Sequence, residues 1–336
     1  MNESAVPDGA LQRFVHDQGW APEGEALRWT PLAGGVSSDI WRVDLDTRTI
    51  CVKRALPRLK VASDWQAPIA RNAHEWEWLR FAASLRPGLV PEPLAHDPVL
   101  GAFAMSFLDP ASHPVWKQQL LDGFADPLFA QAVGTELVLL HGASAGDAAL
   151  AQTFATDAVF RAIRLEPYLL ATAQRHRDLA ACLNGLAERT ASCKLALVHG
   201  DVSPKNLLAG PDGPVFLDAE CAWYGDPAFD LAFCLTHLLL KCVARRQSVA
   251  DYLRCFDALT RAYVERVDWE PAQATEERAA TLLPALLLAR IDGKSPVEYL
   301  DQGAQALVRQ TARAMLVGPV QSLAGVAASW HQALAT

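Results

Sequence analysis

The sequence has no Cys-x-x-Cys pair, and its 7 cysteines are scattered and odd in number. Neither a disulfide framework nor a zinc knuckle is indicated, so reduced, mostly buried thiols in a cytoplasmic protein are expected. No long hydrophobic run is present either. The most apolar stretch, residues 231–244, is interrupted by His237 and Lys241 and is too short to span a bilayer. The first residues, MNESAVPDGALQRF, are partly acidic and lack an apolar core, which argues against a signal peptide. Positive charge is not in excess: a net charge of −8 speaks against nucleic acid as the main partner. There is no internal repeat and no low-complexity segment beyond a richness in Ala and Leu. What is present is apolar residue, 51% of 336, which excludes intrinsic disorder and suits two domains or lobes.

The chain changes character along its length. Residues 8–18 have Leu11, Phe14 and Val15 at helical spacing. Short alternating runs at 26–32, 39–45 and 49–53 then read as strands, separated by the turn-prone Gly34-Gly35 and Asp46-Thr47. Residues 69–85 return to helical spacing, with Glu75, Leu79 and Ala82 on one face. Two more strands are predicted at 90–95 and 102–107. From Asp109 the pattern is helical, at 118–121, 128–141, 157–187 and from Ala228 onward, broken once by apolar β-type runs within 195–217. This predicts an α+β chain: a small lobe over 1–108, mostly antiparallel sheet crossed by one helix, and a larger helical lobe over 109–336.

Chemistry concentrates in Leu197-Val-His-Gly-Asp-Val-Ser-Pro-Lys-Asn206 and the residues that follow to Glu220. An apolar strand ends in the polar loop 199–206. A hairpin follows, 207–209 and 215–217 around the turn 210–213. A hairpin brings its ends together, so Asn206 and Asp218 are expected side by side, with Asp201 five residues before Asn206. Oxygen ligands of this kind, with Glu220 as a further member, suit Mg²⁺ rather than zinc. The D-x-x-x-x-N spacing with a later Asp is the catalytic arrangement of protein kinases and their relatives. Turn capping by Asp201 and Asn206, with a local pair for Asp218, is the plain structural alternative.

The first lobe offers complementary parts. Gly34 and Gly35, with Ser37 after them, sit in a strand–turn–strand segment whose backbone N–H groups suit ATP phosphates, although a plain hairpin turn explains them equally. Lys53 is a lysine in an apolar strand, expected to contact phosphate. Glu75 is its natural ion-pair partner, because Glu77 lies about 200° around the helix and faces away.

Together these residues resemble the aminoglycoside phosphotransferase/choline kinase family, over about residues 32–300. HGDVSPKNLL followed by FLDAECAWYGDPAFDLAF carries most of that resemblance, and the DxE at 218–220, Tyr224-Gly225 and segment 288–300 look similar to methylthioribose kinase. The resemblance implies a protein-kinase-like fold, ATP between the two lobes, and 106–108 as the hinge meeting adenine, with Ser106 and Leu108 named for it. It implies Asp201 as the base for a substrate hydroxyl, Asn206 and Asp218 as Mg²⁺ ligands assisted by Glu220, and Lys53 on the α/β-phosphates. His199 would brace the loop and Asp230 would tie the helical lobe to it. Two departures stand out: Ser203 and Lys205 replace the usual His and Gly. Lys205 brings charge toward the γ-phosphate or is simply solvated. Arg290 stands alone after Ala289, where methylthioribose kinases carry an Arg pair, and is a candidate substrate or phosphate contact.

The expected activity is an ATP- and Mg²⁺-dependent kinase acting on a small hydroxylated molecule. A nucleotide-binding pseudokinase scaffold is the alternative from another class, disfavoured because Lys53, Asp201, Asn206 and Asp218 are all present. A metal-dependent hydrolase built on His199, Asp201 and Asp218 lacks the further His ligands such sites use.

Overall fold

The computed structural model describes residues 7–22, 25, 27–32, 38–56 and 71–335. The chain divides into two compact units, Met1–Pro110 and Ala111–Thr336. The segment containing Gly34, Gly35 and Ser37 lies outside the described residues.

Unit 1 opens with helix α1 (Gly9–Asp17), started by Asp8, whose carboxylate accepts hydrogen bonds from the backbone N–H groups of Ala10 and Leu11, both at 3.1 Å. Strands β1 (Arg28–Pro31), β2 (Ser38–Asp44), β3 (Thr49–Ala55), β4 (Pro93–Asp97) and β5 (Ala102–Ser106) form one sheet in the order β1-β2-β3-β5-β4, antiparallel throughout. Leu11, Phe14 and Val15 of α1 pack with Trp41, Val43, Ile50, Val52 and Ala104. These are alternate positions of β2, β3 and β5, which is why strand alternation gives the sheet one apolar face here. Helix α2 (Arg71–Leu85) buries Glu75, Trp78, Leu79 and Ala82, residues at helical spacing.

Unit 2 is mostly helical. It runs through α3 (Trp116–Leu121), α4 (Pro127–Ser144), α5 (Ala148–Thr153) and α6 (Asp157–Phe160), then, after the strands below, α9 (Ala228–Ala244), α10 (Val249–Val264), α11 (Ala272–Asp292), α12 (Gln302–Val317) and α13 (Leu323–Ala335). Asp126 caps α4 and Pro127 fills its first position, where a missing N–H costs nothing. Gly134 lets α4 and α10 approach, since a Cβ there would meet the Leu259 carbonyl oxygen at 2.4 Å. Helix α9 is buried from Ala228 to Val243, and forms the centre of the unit.

The continuous helix expected over 157–187 does not form. After α6 the chain widens into a π-helix, Arg161–Leu170, before α7 (Ala171–Arg175), a 3-10 turn and α8 (Ala180–Ser192). Pro167 lies inside the π segment and has no N–H to donate, so the regular ladder is interrupted there. Strand β6 (Ala196–Val198) pairs with β9 (Trp223–Gly225), and β7 (Leu207–Gly210) with β8 (Gly213–Phe216), both antiparallel. No helix among the described residues is long and apolar enough to cross a membrane.

Candidate active site

Strand β6 delivers the chain into the loop that starts at His199. Its first two backbone N–H groups are fixed from α9: the His199 N–H donates to Asp230 Oδ2 at 2.7 Å and the Gly200 N–H to Asp230 Oδ1 at 2.8 Å. Asp230 is wholly buried and also lies 3.3 Å from His141 Nε2. Gly200 has φ +79°, and a Cβ there would meet the Cys221 carbonyl oxygen at 2.7 Å, so only glycine fits. The His199 ring is a second brace. Its Nδ1 accepts from the Asp201 N–H at 3.1 Å and its Nε2 donates to the Leu217 carbonyl at 3.0 Å, which requires the neutral Nε2–H tautomer. Burial lowers the His199 pKa, against the pull of Asp230 and Asp201.

This bracing aims Asp201 at three donors. Arg164 Nη2 lies 3.0 Å from Asp201 Oδ2, Lys205 Nζ 2.9 Å from the same oxygen, and Asn206 Nδ2 donates to it at 2.9 Å. Asp201 is 4% exposed, and burial pushes its carboxyl upward. Arg164 and then Lys205 outweigh that push and hold it below its ordinary value. Asp201 is therefore an ionised, buried carboxylate at neutral pH. The Lys205 side chain is about half exposed, so solvent screens it, whereas the Arg164 side chain is 10% exposed and is the stronger partner. Arg164 is held in turn by the carbonyls of Gly200 and Ile163. Its own pKa is raised: burial opposes the charge, and Asp201 more than restores it.

Sequence reading missed Arg164. It sits on the π-helix, far from the loop in sequence, and nothing in the sequence sets it apart from Arg161 three residues earlier.

Asn206 ends a 3-10 turn, Pro204–Asn206, and its backbone carbonyl accepts from Leu217 N–H at 2.9 Å, which extends the β7–β8 hairpin by one pair. Asn206 and the residue preceding Asp218 are thus direct neighbours across the hairpin. Asp218 has φ +67° and is the single non-glycine residue with positive φ among the described residues. Such a conformation costs about 1–3 kcal/mol and persists where the surroundings fix it. Asp218 and Glu220 are both half-buried.

In unit 1, Lys53 of β3 and Glu75 of α2 form a buried pair, Nζ to Oε1 at 2.7 Å, with both side chains under 5% exposed. Glu77 is turned outward to Arg80. Ser106 closes β5, its hydroxyl accepting from the Glu92 N–H at 2.9 Å, and Leu108 lies in the half-buried segment after it.

Arg290 of α11 donates to Tyr168 Oη at 3.3 Å and to Ser295 Oγ at 3.0 Å. Among the described residues no group of three or more His, Cys, Asp or Glu side chains is arranged to hold a metal ion.

A five-stranded antiparallel sheet with its helix, followed by a helical unit carrying the Asp201 loop and the β7–β8 hairpin, is the architecture of a protein-kinase-like phosphotransferase. Residues 28–252 match the family described as the phosphotransferase enzyme family, and the chain belongs to it. It is an enzyme of the small-molecule kinase class. Methylthioribose kinase of Bacillus cereus (strain B4264) is 25% identical over 271 residues, covering 72% of this chain and 67% of that kinase. For the corresponding kinase of Bacillus mycoides (strain KBAB4), 25% identical over 252 residues, 66% of this chain and 63% of that protein are covered. Among solved structures, an amicoumacin kinase in complex with AMP-PNP and Ca²⁺ superposes with a TM-score of 0.56 at 13% identity, covering 93% of this chain and 94% of that one. Plasmodium vivax ethanolamine kinase gives 0.54 at 11% identity, covering 92% and 90%. These likenesses extend the sequence resemblance to the fold.

Proposed function

We propose that this protein transfers the γ-phosphoryl group of ATP to a hydroxyl of a small molecule, with Asp201 as the base. One observation carries the reading. A buried carboxylate stays ionised on a loop fixed at both ends, by Asp230 at His199 and Gly200 and by the β7–β8 hairpin after Asn206. Such a group orients an alcohol and takes its proton as the O–P bond forms. The transfer itself rests on positioning and charge neutralisation rather than covalent work by the protein.

Lys53, held by Glu75, would contact the nucleotide's α/β-phosphates, with the backbone around Gly34, Gly35 and Ser37 over them and 106–108 against the adenine. The donor set fits a hard divalent cation. Asn206 commits its amide N–H groups to the Asp201 side chain and backbone, leaving a carbonyl oxygen as its ligating end, and Asp218 and Glu220 add carboxylates. Magnesium held by these three would supply charge neutralisation at the phosphate oxygens. The strained backbone of Asp218 supports a functional role for its side chain.

The test is a titration of ATP into the protein with and without Mg²⁺, for wild type and Asp218→Ala. Magnesium should tighten binding to the wild type and leave the variant unaffected. Equal metal dependence in both would remove Asp218 from the metal site.

A further inference from the structure

Helix α9 carries two basic residues on the stripe that begins at Asp230. Phe233, His237 and Lys241 follow at spacings of three or four, so they share one face. Lys241 lies about 16 Å along the axis from Asp230. His237 is 8% exposed and Lys241 1%. Among the described residues no carboxylate pairs with the Lys241 ammonium, whose neighbour is the Tyr299 ring, with Nζ 3.8 Å from the centroid.

The elements packed around this stripe add charge of the same sign. Lys117 of α3 lies 5.8 Å from the same Tyr299 ring. Arg290 of α11 and Arg164 of the π-helix flank the Tyr168 ring at 5.8 and 5.9 Å, and Arg164 is also 5.9 Å from Phe233. Glu298 pairs with Lys117, and Asp201 with Arg164 and Lys205, while Glu220 also attracts Arg164 and Asp218 attracts Lys205 at the loop end of the array. Arg290 bonds only neutral oxygens, those of Tyr168 and Ser295. Two buried polar atoms at this place have no hydrogen-bond partner, Arg290 Nε and Tyr299 Oη.

The electrostatics agree with the geometry. Burial, then Lys117, pulls Lys241 down to about 7, with Arg290 adding to the effect and Glu298 opposing it. Burial, then Arg290, Lys241, Lys205 and Lys117, depresses His237. A buried cation without a counter-charge destabilises a fold, and the Tyr299 ring offsets only part of that. Such a group persists where a ligand completes it.

We propose that the acceptor alcohol carries an anionic group, a carboxylate or a phosphate, bound by Lys241 and Arg290 with His237 beside them. An aminoglycoside-like or choline-like cation would be repelled by this wall. A neutral sugar would leave the two charges and the two orphaned atoms uncompensated. Lys117, its side chain 32% exposed, marks the side open to solvent. This inference rests on the kinase reading above, and deepens it.

The experiment is calorimetric titration of the full chain at fixed ionic strength with matched alcohols. One set is glycerate, glycerol 3-phosphate, glycerol and 3-amino-1,2-propanediol; the other is gluconate, glucose 6-phosphate, glucose and glucosamine. At least one anionic member should bind roughly 10-fold or more tightly than its neutral counterpart, and the carboxylate and phosphate arms show which anion is preferred. Lys241→Met should abolish that advantage while melting no lower than wild type, and Arg290→Met should reduce it. No anionic preference in either set, or a preference that survives in both variants, overturns the proposal. A parallel Mg-ATP titration separates the two readings. Nucleotide binding without anionic preference leaves the kinase standing and this inference fallen, whereas absent nucleotide binding removes the kinase reading itself.

Discussion

Arg164 Nη2 lies 3.0 Å from Asp201 Oδ2, joining the π-helix to the loop after β6 through two buried side chains. The guanidinium does two things at once: it fixes the carboxylate's orientation and keeps it charged against burial. Replacing Arg164 with Met leaves the burial effect without its main opponent, so the Asp201 pKa rises. The acid limb of the kcat profile should move to higher pH, with kcat lowered on the order of 10–100-fold by misplacement of the base. Arg164→Lys should restore part of the shift. A variant with lower kcat but an unmoved acid limb would leave Arg164 only a structural role.

Lys53 and Glu75 should behave as a coupled pair. Removing one partner strands a buried charge, so Lys53→Met and Glu75→Met should each cost roughly 3–5 kcal/mol, while the double variant costs less than the sum of the singles. Urea denaturation of the four proteins measures this. Additive losses would mean that neither charge depends on the other.

Asp218 separates strain from ligation. Asp218→Gly relieves the positive-φ strain that Asp218→Ala retains, so the glycine variant should be the more stable by about 1 kcal/mol. Both should lose magnesium-dependent nucleotide binding. Equal stability of the two variants would show that the backbone there carries no strain.

Lys241 gives a pH signature. Its pKa near 7 in the folded state lies below the ordinary lysine value of 10.5, so the unfolded chain binds more protons between those limits. Its contribution to stability is therefore fully present above about 10.5, and is lost as pH falls toward 7. Lys241→Met removes that slope. The variant should exceed wild type in stability at pH 7, and the gap should close between pH 7 and 8.5 by up to ~1.4 kcal/mol per pH unit. The buried thiols Cys51, Cys193, Cys242 and Cys255, pushed up to about 12, oppose this trend only above their ordinary value of 9. A constant gap across that range would contradict a depressed Lys241.

Local chemistry was the legible part of this protein. Glu75 rather than Glu77 follows from a 3.6-residue period, and the neighbourhood of Asn206 and Asp218 follows from a hairpin of fewer than a dozen residues. The family resemblance rests on these same short segments. Contacts between distant segments were not legible. Pairing of β6 with β9 joins residues more than twenty apart, and the approach of Arg164 to Asp201 depends on a helix that Pro167 diverts from regular geometry. In sequence, His237 and Lys241 only interrupted an apolar run. Their meaning comes from the partners that α3, α11 and the π-helix bring to α9, and from the counter-charge those elements do not bring.

The central claim is that Asp201 activates a substrate hydroxyl for attack on ATP. ADP release from Mg-ATP, measured across a panel of sugars, amino alcohols, hydroxy acids and aminoglycosides, tests it with Asp201→Asn as the paired control. A substrate-dependent signal in wild type that falls about 10²–10⁴-fold in the variant, with Mg-ATP still bound, is the predicted result. Transfer that continues undiminished in Asp201→Asn would contradict it.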